Sequence, residues 1–197
     1  VNVHMGDARD PFRPLYQVAE TTEIRLTQFL PTHCNRNAWI FEDAIQYGKH
    51  GYLDITASSW EYFPEDEIKP SRAIKTWLES GVPLKHITMS SDGCGSLPKF
   101  DEQGKLLALE MGLPSSVFKE LSDTVLKEGI PLVDAVRIVS TNVAEILRLP
   151  GKGRIRAGYD ADLVFIDRDF SIRHMMSKGK LVVEDTRQLV LGAYENL

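Results

Sequence analysis

Short apolar runs alternate with segments of helical periodicity through the first hundred or so residues, and this alternation restricts the fold more than any other feature. The extended runs lie at residues 1–3, 24–29, 52–56 and 86–89. Between them, apolar residues recur at helical spacing, as in Leu15, Val18 and Ala19. Asn37 is placed to cap a further helix. Strands and helices in this order predict βα units around a parallel sheet, the α/β class.

The pattern changes in the second half of the chain. Residues 114–148 have only helical periodicity, and Asn142 with Glu145 three positions later predicts a capping box for a short helix. After Pro150, alternating runs separated by turn residues predict strands at residues 154–155, 163–166, 171–175 and 180–183. We therefore expect a domain boundary near residue 150, with one domain at 1–150 and a smaller β-rich domain at 151–197.

Charge and composition exclude several classes of protein. The 23 basic residues are interspersed with 28 acidic ones, giving a net charge of −5 and no basic cluster for a nucleic-acid backbone. No apolar stretch reaches the roughly 18 residues of a membrane-spanning helix. Two cysteines, Cys34 and Cys94, cannot build a disulfide framework. We therefore expect a globular, cytoplasmic protein without a nucleic-acid or membrane partner.

Three of the four predicted early strands lead into a side chain that can bind a metal or transfer a proton, namely His4, His33 and Asp92. Because the carboxyl ends of barrel strands open on one face, these side chains would converge there. Two imidazoles and a carboxylate can hold a catalytic zinc, and Asp92 can also act as a base. Each residue alone has an ordinary alternative, since a strand-end histidine is commonly a surface residue and Asp92 before Gly93 fits a tight turn.

Weaker candidates lie beside these three. Arg36 follows His33 by three residues, where a guanidinium could bind a substrate carboxylate, although the local sequence alone favours a surface arginine at a helix end. Glycines between Asp92 and Ser96 allow a backbone to approach a ligand closely, which is weak support on its own. Neither Cys34 nor Cys94 has an activating partner at fixed spacing, so we treat both cysteines as bystanders.

Three segments carry a family resemblance. They are Val3-His-Met-Gly-Asp7, Pro31-Thr-His-Cys-Asn-Arg-Asn37 and Ser90-Ser-Asp-Gly-Cys-Gly-Ser96. Together they closely resemble the isoaspartyl dipeptidase family of the amidohydrolase superfamily. Residues 134–145 and 153–164 are similar to the last barrel helix of that superfamily and to the start of its small β-sandwich.

The resemblance implies a role for each candidate residue. His4 and His33 match ligands of the second metal in a binuclear zinc centre, and Asp92 matches a ligand of the first metal that is also the general base. Arg36 and Ser96 match substrate-binding residues. The implied reaction is hydrolysis of a β-aspartyl dipeptide, in which a hydroxide bridging the metals attacks the carbonyl and Asp92 passes a proton to the leaving amine.

The resemblance also implies a fold. The chain would supply the fifth to eighth strands of a metal-dependent TIM-type (β/α)8 barrel, followed by the C-terminal strands of a small β-sandwich. The remaining zinc ligands, a His-x-His pair and a carbamylated lysine, would lie upstream of Val1. We therefore expect the C-terminal half of an enzyme, inactive alone, and a homo-oligomer when complete. Two alternatives stay open: another amidohydrolase acting on cyclic amides or N-acyl amino acids, and a non-catalytic interaction protein on the same scaffold.

Overall fold

Strands and helices alternate up to residue 90, as the sequence predicts. The computed structural model describes residues 1–192. The elements in order are β1 (Asn2–His4), α1 (Arg13–Thr21), β2 (Leu30–Thr32), α2 (Ala38–Gly48), β3 (Leu53–Thr56), α3 (Pro70–Glu79) and β4 (Ile87–Ser90). β1 pairs in parallel with β2, and β3 pairs in parallel with β4. The predicted α/β alternation with parallel strands is therefore confirmed in this part of the chain.

The second strand is displaced from the position predicted for it at residues 24–29. Leu26–Gln28 form a 3-10 turn, and β2 begins only at Leu30. Its central residue is Pro31, which is aligned with Val3 of β1. Because proline lacks a backbone N–H and is disfavoured in strands, the sequence pattern does not indicate a strand at Pro31.

Two helices, α2 and α3, begin at residues that suit a helix start. The side chain of Asn37 accepts a hydrogen bond from the backbone N–H of Ile40 at 3.0 Å, so Asn37 caps α2 as predicted. Pro70 is the first residue of α3, where its missing N–H removes no helical hydrogen bond. The two helices meet at Phe41 and Trp77, whose stacked rings have centroids 5.4 Å apart. This contact is part of the core that supports the strands.

A β-hairpin that the sequence analysis does not predict follows β4. Its strands are β5 (Ser96–Phe100) and β6 (Leu106–Met111), which pair antiparallel. Several of its large apolar side chains are exposed, among them Phe100, Leu107 and Leu109. Because these side chains do not alternate between a buried and a solvated face, the usual strand signal is missing here.

Three helices occupy the region of purely helical periodicity. They are α4 (Ser116–Leu126), α5 (Leu132–Val139) and α6 (Thr141–Ile146). Asn142 lies inside α6, and its Nδ2 donates hydrogen bonds of 2.8 Å to the carbonyl oxygens of Leu84 and Ile87. The predicted capping box with Glu145 is therefore wrong, because this side chain is used to anchor the start of β4. Within residues 1–192, every helix is too short or too polar to cross a membrane.

The chain divides into two compact units, residues 1–143 and the residues from Ala144 on. The second unit contains an antiparallel sheet with the strand order β10-β9-β8-β7. Its strands are β7 (Leu163–Ile166), β8 (Ile172–Ser177), β9 (Lys180–Glu184) and β10 (Arg187–Gln188). The strand predicted at 154–155 is wrong, since these residues are irregular and Ile155 is 92% exposed. The domain boundary near residue 150 stays a prediction.

Candidate active site

The two histidines selected from the sequence meet where β1 and β2 end. His4 is the last residue of β1, and His33 directly follows β2. Nδ1 of His4 lies 3.0 Å from Nε2 of His33. Two imidazole nitrogens bound to one tetrahedral zinc lie about 3.3 Å apart. The two rings are thus within hydrogen-bond distance, and their nitrogens are about 0.3 Å closer than two ligands of one tetrahedral zinc ion would be.

His33 is held by a residue that the sequence analysis missed. Its Nδ1 lies 2.8 Å from the hydroxyl of Thr56, the last residue of β3. Burial, together with the charge of Arg36, lowers the pKa of His33, while the charge of Asp92 acts in the opposite direction. The neutral imidazole is the form that binds metal, so this environment suits a ligand. The signal for Thr56 was its position, at the end of the one early strand without a candidate ligand.

Asp92 lies in the turn that follows β4. Its φ of 51° is in the left-handed region, and its carbonyl oxygen accepts a hydrogen bond from the N–H of Gly95 at 2.9 Å. A Cβ at Gly95 would lie 3.0 Å from Oδ2 of Asp92. Glycine is thus required at this position to let the turn close against the carboxylate.

The β5–β6 hairpin is fastened to this same turn. The N–H of Cys94 donates to the carbonyl oxygen of Gly112, and the N–H of Gly112 donates to the carbonyl oxygen of Gly95, both at 2.9 Å. A Cβ at Gly112 would lie 2.7 Å from both the carbonyl oxygen of Asp92 and the hydroxyl oxygen of Ser58. The end of the hairpin therefore packs directly on the backbone of Asp92.

The remaining candidates lie nearby. Nη1 of the half-buried Arg36 donates a hydrogen bond of 3.0 Å to the carbonyl oxygen of Met5, which anchors the guanidinium at the end of β1. Ser96 is exposed at the start of β5.

Cys34 is fully buried, and its Sγ lies 3.3 Å from the carbonyl oxygen of Pro31. Burial raises the pKa of the Cys34 thiol and so disfavours the thiolate form that would act as a nucleophile or a metal ligand.

Glu67 is a carboxyl group near Arg36 that the sequence does not single out. Its Oε2 accepts a hydrogen bond of 2.6 Å from the hydroxyl of Ser59. Burial raises the pKa of Glu67 to about 7, although the Ser59 bond and the charge of Arg36 lower it. This carboxyl therefore titrates near neutral pH in the folded protein.

The residues present fit a metal as part of a larger ligand set. Among residues 1–192, no group of three His, Cys, Asp or Glu side chains is arranged to hold an ion. What the structure brings together is the His4–His33 pair, with Thr56 orienting one ring. Asp92 influences His33 through its charge.

Comparison with known proteins identifies the family of the chain. The sequence profile described as the amidohydrolase family matches residues 48–182. A crystal structure of β-aspartyl dipeptidase from Fervidobacterium islandicum AW-1 in complex with a β-Asp-Leu dipeptide superposes with a TM-score of 0.84 and 34% identity. That match covers 98% of this chain and 50% of the dipeptidase. The resemblance noted in the sequence is thereby confirmed.

Curated relatives match shorter stretches and have varied names. An adenine deaminase from Thermosipho africanus is 28% identical over 127 residues, which are 60% of this chain and 21% of that protein. A dihydroorotase from Methanosphaera stadtmanae is 35% identical over 77 residues, 38% of this chain and 16% of that protein. The chain thus spans about half the length of the dipeptidase and about a fifth or less of these two relatives. Since the family profile covers more than half of it, the chain belongs to the amidohydrolase family, whose members are hydrolases with a TIM-barrel type of fold.

Proposed function

We propose that this chain supplies part of the active site of a zinc-dependent hydrolase of β-aspartyl dipeptides. The observation that carries the proposal is the pair His4–His33 at 3.0 Å, beside Arg36, in a chain 34% identical over nearly its whole length to a dipeptidase that binds β-Asp-Leu. In this proposal residues 1–150 are the second half of a (β/α)8 barrel, and residues 151–197 belong to a small β-sandwich. The proposal also includes a cytoplasmic location and a homo-oligomeric complete enzyme.

His4 and His33 would hold the zinc. Their facing nitrogens and the Thr56 hydroxyl on the far side of the His33 ring support this assignment. When bound, a zinc centre lowers the pKa of water and polarises a carbonyl group. The other ligands expected from the family, a His-x-His pair and a carbamylated lysine, are a prediction for sequence upstream of Val1, and a binuclear centre depends on them.

Asp92 would move the proton. Its carboxylate would accept a proton from the attacking water and deliver it to the nitrogen of the leaving amine, which cannot depart as an anion. The close packing of Gly95 and Gly112 on Asp92 keeps this group in a fixed position, which proton transfer requires. Asp92 would also contribute an oxygen ligand to the metal centre.

Arg36 and Ser96 would bind the substrate. The planar guanidinium of Arg36 can bind a dipeptide carboxylate through two parallel hydrogen bonds, while its Nη1 contact with Met5 restrains the side chain. Ser96 would add a hydroxyl at the start of the hairpin. An amidohydrolase that acts on a cyclic amide without a carboxylate would have no particular need for Arg36.

The test is a substrate comparison with the zinc-loaded protein that contains these residues. We expect release of leucine from β-Asp-Leu, with little release from α-Asp-Leu. Dihydroorotate serves as the cyclic amide, because one relative is named a dihydroorotase. An N-acyl amino acid represents the other open alternative. Faster turnover of either compound than of β-Asp-Leu would replace the proposed substrate class, and no hydrolysis of any of them would favour a non-catalytic role.

A further inference from the structure

A buried carboxylate, outside the candidate catalytic residues, contacts both neighbours of its strand. Asp54 of β3 is 4% exposed. Its Oδ2 accepts hydrogen bonds of 2.6 Å from the hydroxyls of Thr32 and Ser90, and its Oδ1 accepts one of 2.7 Å from the hydroxyl of Thr88. Thr32 belongs to β2, whereas Thr88 and Ser90 belong to β4. One side chain therefore links three strands.

The bonds that join β3 to β4 differ from those that join β3 to β2. Towards β4, a parallel ladder runs along the whole strand, from Leu53 opposite Ile87 to Thr56 opposite Ser90. Towards β2, the strands described in residues 1–192 form no ladder. There, the backbone bond from Cys34 N–H to the Asp54 carbonyl oxygen is long, at 3.2 Å. The Asp54 carboxylate is thus one bond among many on the β4 side. On the β2 side it is the only side-chain bond to a residue of β2 itself that is described, since the other bonds, from Cys34, His33 and Asn35, come from the residues that follow β2.

The β2 side is the one that leads to the candidate metal ligand. Thr32 immediately precedes His33, and the ring of His33 meets Thr56, two residues beyond Asp54 on the same strand. The separation of β2 from β3 therefore sets whether the His33 ring can contact Thr56 on one side and His4 on the other.

We propose that Asp54 is a positioning residue, which through its hydrogen bond with Thr32 fixes β2 against β3 and thereby holds the His33 ring ready to bind metal. The inference deepens the proposed function and rests on its assignment of His33 as a ligand. The carboxylate acts through geometry, so its negative charge is not what the site requires.

Two matched variants separate this role from ordinary stabilisation. Thr32→Val and Thr88→Val each replace a buried hydroxyl that donates to Asp54 with an isosteric methyl group, and valine is a good strand former. Thr32→Val loses one buried hydrogen bond, whereas Thr88→Val loses its bond to Asp54 and a longer one to the Leu53 carbonyl oxygen, so both variants lose stability. Only Thr32→Val removes the hydrogen bond between Asp54 and β2, the strand that His33 directly follows.

The measurements are the zinc affinity, from chelator competition, and the ¹⁵N chemical shifts of the His33 ring in the metal-free protein. We expect Thr32→Val to lower zinc affinity about tenfold or more and to move the His33 shifts. Thr88→Val should leave the shifts in place and the affinity within about twofold, because the β3–β4 ladder persists. Equal effects of the two variants, or unchanged His33 shifts in Thr32→Val, would overturn the proposal.

Asp54→Asn tests geometry against charge. The amide oxygen of the new asparagine can accept hydrogen bonds from Thr32 and Ser90, and its amide nitrogen can donate one to the Thr88 hydroxyl. The Thr88 hydroxyl can then donate its own proton to the Leu53 carbonyl oxygen, which lies 3.2 Å away. We expect the shifts and the zinc affinity of Asp54→Asn to stay close to wild type. A loss as large as in Thr32→Val would contradict a positioning role. If wild type fails to cleave β-Asp-Leu, the proposed function is wrong, while the His33 shifts still decide the role of Asp54.

Discussion

The side chain of Asn35 is hydrogen-bonded to both backbone groups of Thr56. Its Oδ1 accepts from the Thr56 N–H at 2.9 Å, and its Nδ2 donates to the Thr56 carbonyl oxygen at 3.1 Å. The same Nδ2 lies 3.1 Å from the carbonyl oxygen of Ile68. The Asn35 amide thus bonds the backbone of Thr56 as a paired strand would, at the residue whose hydroxyl contacts His33.

Replacing Asn35 with aspartate removes the donor and places a carboxylate against two carbonyl oxygens. Because Asn35 is fully buried, we expect Asn35→Asp to lower the free energy of unfolding by at least about 2 kcal/mol near neutral pH, measured by urea denaturation. Asn2→Asp makes the same change at an exposed position of β1 and should cost less than about 0.5 kcal/mol. Equal losses in both variants would contradict the role given to Asn35.

Asp92→Asn removes the proposed proton acceptor but keeps an oxygen ligand. We expect kcat for β-Asp-Leu to fall by about 10² to 10⁴ while the zinc content stays the same, since proton transfer is worth roughly that factor. Zinc is measured by atomic emission and turnover by leucine release. Asp10→Asn changes an exposed carboxyl on the loop before α1 and serves as the control, with unchanged turnover. Turnover of Asp92→Asn within about threefold of wild type would rule out the base role.

Arg36→Lys replaces a planar guanidinium, which can form two parallel hydrogen bonds to a carboxylate, with a compact ammonium group that cannot. We expect kcat/KM for β-Asp-Leu to fall by about tenfold or more, with a smaller change in the melting temperature. The matched control is a second substrate: β-Ala-Leu amide lacks both carboxylates of β-Asp-Leu and should show little difference between wild type and variant. An equal loss on both substrates would mean that Arg36 does not bind a substrate carboxylate.

Gly112→Ala puts a methyl group 2.7 Å from the carbonyl oxygen of Asp92 and from the hydroxyl oxygen of Ser58. We expect a loss of about 1–3 kcal/mol in unfolding free energy and reduced turnover, because the turn that carries Asp92 must shift. Gly6→Ala has nothing within 4 Å of the new methyl group and should be neutral or slightly stabilising. A neutral Gly112→Ala would show that the hairpin end moves away from Asp92 easily.

Glu67 makes stability depend on pH in a defined direction. Its folded-state pKa is raised from 4.5 to about 7, chiefly by burial, so the folded protein holds this proton more tightly than the unfolded chain does. The stability that this tighter proton binding adds is fully present below the unfolded-state pKa of 4.5, and it is lost as the pH rises through the folded-state pKa of about 7. We expect Glu67→Gln to lose less stability than wild type between about pH 5 and pH 8 in urea denaturation. Identical pH profiles would contradict the raised pKa.

The sequence predicts the parts of the fold that rest on local patterns. The Asn37 cap, the strands near residues 2–4, 53–56 and 87–90, and three of the four predicted C-terminal strands follow from periodicity and turn residues. The strand centred on Pro31 and the hairpin at 96–111 do not, because proline and exposed leucines give the wrong local signal. Asn142 was misread because its hydrogen-bond acceptors lie more than fifty residues away.

The candidate site divides in the same way. His4, His33 and Asp92 could be selected because ligand-type residues at strand ends are visible in a sequence, and the structure brings the two histidines into contact. Asp54, Thr56 and Asn35 could not, since their importance depends on which strands become neighbours. The metal-binding roles of His4 and His33 and the roles of Asp92, Arg36 and Ser96 stay predictions.

The β5–β6 hairpin is joined to the turn of Asp92 at its base, through Gly95 and Gly112, and is exposed further out. Its tip closes on itself through the Asp101 N–H to Lys105 carbonyl bond of 2.9 Å, and its outer leucines are exposed. The outer part of the hairpin, residues 99–109, can therefore be exchanged in sequence or in length without changing Ser96 or the buried Leu97, while the base of the hairpin keeps its backbone bonds to the turn of Asp92. A library confined to residues 99–109 would test whether the hairpin affects substrate preference while Asp92 stays in place.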